Sequence, residues 1–313
     1  MPTQLKTMDV VSVGSLNADL VVSTPRFPTS GETVTGSTLT IHCGGKGANQ
    51  AYAASRAGAK AAMVGQVGGD SFGKDLIQNL LHQGIETNGV KVIPHHATGT
   101  ALIEVAASGE NRIIVIPGAN GVYASETLNE SESLIQEAKC VLLQMEISQE
   151  ANAHVMERIG RSADSILIFD PAPAGPICNK WLKVMDYITP NQSELNLLTG
   201  QNIPEDAPLE DFIDAGRILC QRGAACVIVK LGSLGALKVT QTDFYHSPAP
   251  RVKALDTTAA GDCFNGVFAT ALALGTHLHA SIDRAVQAAA ISVTRRGAQA
   301  SMPEGAEIRD QVD

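Results

Sequence analysis

The chain predicts an α/β fold, a doubly wound, mostly parallel sheet with helices on both faces, carrying a small separate β-sheet as a lid. Short apolar, β-type runs alternate with helical stretches along most of the 313 residues, and the runs end at Gly, Pro or Asp. Two Thr- and Val-rich stretches break that alternation and contain no good helix. Hydrophobic residues make up 44% and charged residues 18%, the balance of an ordinary globular chain with a substantial core. One domain over residues 1–313 is expected, with the lid formed by insertions at about 20–43 and 98–116.

Taken in order, the strands are expected at residues 10–13, 61–64, 141–144, 166–169, 187–189 and 226–229. Helices are expected at 71–83, stopped by Gly84, at 149–161, at 206–222, stopped by Gly223, and at 281–294. Turn signals at Thr29-Ser30-Gly31 and Ser108-Gly109-Glu110 make hairpins of the two lid stretches. A flap over an α/β core excludes water, which protects a reactive donor from hydrolysis, although edge hairpins also occur as ornament.

Charge and composition remove several function classes. A net charge of −9 argues against a general nucleic-acid binder. Cys43, Cys140, Cys178, Cys220, Cys226 and Cys263 include no C-x-x-C pair, so neither a zinc site nor a disulfide framework is indicated. Residues 1–9 hold Lys6 and Asp9 without an apolar run, and no stretch of 18 apolar residues occurs, so a cytoplasmic location is expected.

Two motifs carry chemistry. Residues 256–266 read D-T-T-A-A-G-D-C-F-N-G and open an apolar helix. Ala259, Ala260 and Gly261 leave backbone N–H groups open to a ligand at a helix start, which favours an anion, and Asp262 beside them can accept a proton. For the aspartate alone, N-capping is an equally good reading. The second motif, Cys43-Gly44-Gly45-Lys46-Gly47-Ala48-Asn49-Gln50, lets backbone approach a small polar ligand while Lys46 and Asn49 supply contacts. It is not a Walker A loop, because Lys46 is followed by Gly47.

Ligands of open α/β sheets gather beyond the carboxyl ends of strands, and polar residues recur there. Asn17 and Asp19 follow the first strand, in a segment that alone reads as a turn; Glu146 follows 141–144. Asn191 and Glu194 follow 187–189 with the spacing of a capping box, and Lys230, Gly232, Ser233 and Gly235 follow 226–229 as a glycine turn.

Both motifs resemble the N- and C-terminal signatures of the ribokinase-like carbohydrate kinases, and the resemblance extends over essentially the whole chain. It implies that Asn17, Asp19, Gly45, Lys46, Asn49 and Glu146 hold the sugar, that Asp262 is the base, and that Ala259, Ala260 and Gly261 form an anion hole. It further implies ATP with Mg²⁺ against Asn191, Glu194, Lys230, Gly232, Ser233, Gly235 and Gly261. A monovalent cation, usually K⁺, is implied at Asp256, Thr258, Ser292, Arg295, Gly297 and Ser301, mostly through main-chain carbonyls. Departures are Val267 for a usual Ala or Gly, Lys230 for a frequent Thr, and Val286 for a polar residue near the adenine.

The implied reaction is phosphorylation of D-ribose at O5. Asp262 takes the hydroxyl proton, and its pKa is expected to stay low. A sugar phosphate acceptor would want more cations near the lid than Arg26, which favours ribose over it. Deoxyribose, fructose, a sugar acid or a nucleoside remain same-fold alternatives. A non-catalytic sensor would have no need of the base, and a nicotinamide dehydrogenase would want G-x-G-x-x-G after the first strand. Lid residues Val34, Leu39 and Ile41 suggest edge pairing across a twofold axis, and the resemblance implies a homodimer.

Overall fold

The computed structural model describes residues 7–159 and 165–308. Its larger sheet has nine strands in the order Phe244–Ser247, Ala236–Val239, Cys226–Lys230, Tyr187–Ile188, Ile166–Asp170, Ala138–Gln144, Met8–Val13, Ala61–Gly68 and Glu86–Ile93. Every neighbour pair is parallel except the two that include Ala236–Val239. The six expected strands are all present, most of them longer than the apolar run alone suggested. The three unforeseen ones are Glu86–Ile93, Ala236–Val239 and Phe244–Ser247, which form one edge and the terminal hairpin of the other. Glu86–Ile93 and Phe244–Ser247 are edges, only half covered, so they lack the continuous apolar run that marks the buried centre; Ala236–Val239 is buried, but Lys238 interrupts its apolar run.

The expected helices appear at Ser71–His82, Gln149–Ile159, Leu209–Gln221 and Leu278–Ser292; Arg161 lies outside the described residues. Apolar clusters fill both faces of the sheet. One packs Val11, Val13, Leu143, Phe169 and Val229 against the Gln149–Ile159 and Leu209–Gln221 helices. The other packs Val10, Met63, Leu142, Ile168 and Ile228 against helices that include Ala260–Ala273.

The smaller sheet has four strands, Thr38–Gly44, Asn17–Thr24, Gly99–Ala106 and Asn111–Ile116, in that order. Its outer pairs are antiparallel, and the central pair, Asn17–Thr24 with Gly99–Ala106, is parallel. Two hairpin-like arms therefore join through their inner strands. Asn17 and Asp19 belong to this sheet rather than to a turn, with Asn17 paired to Gly44 and to Gly99. Val34 lies outside any strand, whereas Leu39, Ile41, Ile113 and Ile114 are more than half exposed on the two edge strands.

Met8–Val13 lies between Ala61–Gly68 and Ala138–Gln144, so the chain leaves it first to one side and later to the other. A crevice opens at the carboxyl ends where the strand order reverses. Two helices meet over it, Lys46–Arg56 and Ala260–Ala273. Their seam is built from small residues. A Cβ on Gly266 would stand 2.5 Å from both Ala53 Cβ and the Gln50 carbonyl oxygen, and Thr270 donates to the Ala54 carbonyl at 3.3 Å. Val267 is buried among Ala53, Cys263, Ala288 and Met302, so this departure from the resemblance is absorbed in the packing.

Candidate active site

Close approach at Gly266 fixes what happens one turn earlier on each helix. Asp262 is the third residue of Ala260–Ala273 and faces Asn49 and Gln50 on the partner helix. Asn49 Nδ2 donates to Asp262 Oδ2 at 3.0 Å, and Gln50 Nε2 donates to Oδ1 at 3.0 Å. Both amides are themselves held. Gln299 Nε2 donates to Asn49 Oδ1 at 3.1 Å, and Gln144 Nε2 donates to Gln50 Oε1 at 2.7 Å. The carboxylate is thus locked from two sides and does not act as an N-cap, a position that Ala259 occupies.

The helix start has no side-chain cap at all. Ala259 precedes it at φ 57, a left-handed conformation that no other described non-glycine residue adopts. Ala260 N–H makes one long bond, 3.3 Å, to Thr257 O. Ala259, Ala260, Gly261 and Asp262 all border a cavity of about 680 Å³. An uncapped helix start facing a cavity is a ready anion site.

Asp262 is buried, and its pKa is lifted to about 6. Loss of solvent is the main cause; Lys46 opposes the rise, the Asp170 charge adds to it, and the two amide bonds oppose it. The expectation of a low pKa is therefore corrected. A second buried carboxylate, Asp170, stands close by, and nothing local in sequence marks it.

On one side of Asp262 is a cluster of polar groups at the end of the smaller sheet. Asn17 Oδ1 accepts from Asn120 Nδ2 at 2.8 Å, and Glu146 Oε2 accepts from Ser15 Oγ at 2.6 Å, from Lys46 N at 3.2 Å and from Asn17 Nδ2 at 3.5 Å. Gly45 holds φ 90 with its Cα so near Asn17 that a Cβ would lie 2.7 Å from the Asn17 nitrogen. Asp19 is raised to about 7, by burial first and then by the charges of Glu146 and Asp262. Burial alone would lower the pKa of Lys46, but Asp262, Glu146, Asp170 and Glu194 outweigh it and hold the ammonium charged. Asn17, Asp19, Gly45, Lys46, Asn49 and Glu146 are therefore one neighbourhood, as the sequence placed them.

On the other side is the cavity. Lys46, Asn191, Glu194, Lys230, Gly232, Ser233, Gly235 and Gly261 line it, with Val286 among them. Asn191 and Glu194 also form the capping box of Gln192–Thr199, so the structural and the cavity-lining readings hold together. Asn191 bridges to Lys230 across the strand ends, and Lys230 N donates to Pro190 O at 2.8 Å. The loop from Ala249 to Ala254, with Ala289, Ala290 and Val293, completes the wall. Apart from Arg251, the side chains of this wall are small or apolar and carried no chemical signal in the sequence.

Asp256 stands behind the helix start. Its Oδ1 accepts from Thr258 N at 2.9 Å and its Oδ2 from Gly297 N at 2.8 Å, which gathers two loops. The Arg295 side chain turns away to pair with Glu307. Both Asp256 oxygens are thus engaged by main-chain N–H groups of the two loops.

Three residues of the site were missed. Gln50 lay in the quoted glycine motif without a role, Gln144 ended an expected strand, and Asp170 follows Phe169 at another strand end. The rule that drew attention to strand ends would have found Asp170 had residues 166–169 been read one position further.

Residues 7–305 match the model of the pfkB family carbohydrate kinases. Haemophilus influenzae ribokinase is 37% identical over 298 residues, with 95% of each chain covered. Salmonella typhi deoxyribokinase is 36% identical over 297 residues, covering 95% of this chain and 96% of that one. Among solved structures, Arabidopsis thaliana ribokinase complexed with ribose and ATP superposes with a TM-score of 0.89 at 32% identity, covering 96% of this chain and 97% of that one. The chain belongs to the pfkB family of carbohydrate kinases.

Proposed function

We propose that this pfkB-family kinase transfers the γ-phosphoryl group of ATP to O5 of D-ribose, giving D-ribose 5-phosphate and ADP, with Asp262 as general base. The observation that carries the reading is the position of Asp262 between two unlike half-sites, a polar cluster of sugar-sized contacts and a cavity lined by an uncapped helix start.

The sugar would lie against Asn17, Asp19, Gly45, Lys46, Asn49 and Glu146, with its primary hydroxyl toward Asp262. The Asp262 carboxylate takes the hydroxyl proton as the O5–Pγ bond forms and the bond from Pγ to the β,γ-bridging oxygen breaks, so that ADP leaves with the electron pair. Negative charge on the transferred oxygens meets the amides of Ala259, Ala260 and Gly261 and the start of the helix. A base raised to about 6 is still ionised at neutral pH and has more proton affinity than an exposed aspartate.

ATP would occupy the cavity, with Asn191, Glu194, Lys230, Gly232, Ser233 and Gly235 on its phosphate side. Both Glu194 oxygens already accept from Asn191, at 2.7 and 2.9 Å, which suits support of a hydrated Mg²⁺ near the phosphates. When bound, Mg²⁺ offsets phosphate charge. Asp256, Thr258, Ser292, Arg295, Gly297 and Ser301 would hold a monovalent cation, K⁺ in our reading, and brace the anion-hole loop from behind. The four-stranded sheet would act as a lid, within a single domain, and the exposed Leu39, Ile41, Ile113 and Ile114 would pair it with a second copy as a homodimer.

The likeness to deoxyribokinase favours a second acceptor, deoxyribose. ADP release measured over ribose, deoxyribose, fructose, a ketodeoxy sugar acid and a nucleoside, with and without K⁺, decides between them. Fastest turnover on D-ribose with K⁺ is expected. Faster turnover on another acceptor would replace the substrate and leave the chemistry in place.

A further inference from the structure

The resting site contains a charge pair that the half-sites described so far do not explain. Lys230 Nζ donates to Asp170 Oδ1 at 2.8 Å, and both side chains are largely buried, 13% and 4% exposed. Asp170 Oδ2 in turn accepts from Gln50 Nε2 at 2.9 Å, the same nitrogen that donates to Asp262. The ammonium also presses against the helix start. A Cβ built on Gly261 would lie 3.3 Å from Lys230 Nζ, and both residues border the cavity. One of the three N–H groups of Lys230 thus serves Asp170, and the head group sits beside an anion-hole amide.

Charge balance gives this placement a purpose. Asp170, Glu194 and Asp262 set three carboxylates on the wall of the cavity, against the cations Lys46, Lys230 and the exposed Arg251. A nucleotide phosphate arriving there adds negative charge to a wall whose cations are already matched by carboxylates. Lys46 also borders the cavity, and the charges that act on its ammonium begin with Asp262 and Glu146. Lys230 is the cation beside the helix start, its Nζ 3.3 Å from where a Gly261 Cβ would stand, and a flexible stem lets its remaining donors reach an oxygen there.

We propose that Lys230 is a catalytic residue that contacts the transferred phosphoryl group, and that Asp170 is its positioning residue, holding the ammonium at the anion hole while Gln50 ties the pair to the base. This role rests on the kinase reading given above. It goes beyond nucleotide binding, because charge develops on the transferred oxygens as the donor bond breaks, and a cation fixed beside them acts most strongly at that stage.

The test compares Lys230→Met with the double variant Asp170→Asn/Lys230→Met. The single variant strands a buried carboxylate and can fail to fold for that reason alone; the double variant removes both charges and keeps the volume. Turnover, KM for ATP and D-ribose affinity are measured for both, alongside the parent chain. We expect kcat and kcat/KM for ATP to fall together by about 10²-fold in the double variant, with D-ribose affinity retained. Parental kcat in the double variant would mean that Lys230 is only the counter-ion of Asp170, and would overturn the proposal. A rise in KM for ATP with kcat unchanged would make it a ground-state nucleotide contact, and would overturn it equally. A parent inactive on every acceptor would overturn the kinase reading itself, and this role with it.

Discussion

The two sides of Asp262 are built from different materials. Toward the smaller sheet the wall is side chains, and they are already bonded to one another: Asn120 to Asn17, Ser15 and Asn17 to Glu146, Gln299 to Asn49. Toward the cavity it is mostly backbone and small apolar residues, with the helix start uncapped and the charged Lys230–Asp170 pair set into it. A prearranged polar cluster selects one small ligand by hydrogen bonds that are costly to leave unmet. An apolar slot with a local positive field accepts a flat base and a string of phosphates with less discrimination. Asp262 stands where the two meet, so its variants affect transfer more than binding on either side.

The largest expected effect breaks that junction. Asp262→Ala removes the base and leaves both half-sites, and turnover on D-ribose is expected to fall by about 10³-fold or more while sugar binding weakens less. Gln50→Met comes next. It withdraws the donor shared by Asp262 and Asp170, and a base free to move by about 1 Å loses on the order of 10²-fold in kcat, which steady-state kinetics at saturating sugar would record. A change in KM for ribose without change in kcat would instead assign Gln50 to the sugar side.

The sides are then separated by Asp19→Asn. With Asp19 on the proposed sugar side, KM for ribose should rise by about tenfold, equivalent to roughly 1.4 kcal/mol, with KM for ATP little changed. The pH dependence of kcat/KM sharpens the same point. Folding raises Asp262 to about 6, so the protonated, inactive form gains population as pH falls through that value. Activity should be full well above pH 6 and lost below it; a profile flat down to pH 4.5 would remove Asp262 from the role of base. Smallest is Ile114→Asp on the exposed edge strand. It should convert the proposed dimer to a monomer in light scattering while altering the chemistry least.

Legibility in the sequence follows the same division. The parallel centre of the large sheet was readable because strands buried on both faces must be continuously apolar, as in Ala138–Gln144. Its edges were not, because Glu86–Ile93 and Phe244–Ser247 are half covered and mix polar with apolar residues. Sugar-side residues announced themselves as Asn, Asp, Lys and Glu beside glycines. The cavity wall of Ala249, Pro250, Val252, Ala254, Ala289 and Ala290 did not, since backbone and small apolar side chains act there by shape. Asp170 and Gln50 were hidden for another reason. Each lies in a segment with a plausible local role; packing of Gly266 against Ala53 brings Gln50 to Asp262, and Gln50 in turn links it to Asp170 at a strand end. The raised pKa of Asp262 was equally unreadable, because it comes from burial and from Asp170, neither of which is local in sequence.

The central claim is that one buried carboxylate takes the sugar's proton while the helix start beside it receives the phosphoryl group. The most direct test measures ATP turnover with D-ribose and K⁺, and D-ribose binding by calorimetry, for the parent chain and for Asp262→Ala. Turnover is expected to fall by about 10³-fold or more in a folded variant that still binds D-ribose. Near-parental turnover in that variant would contradict it.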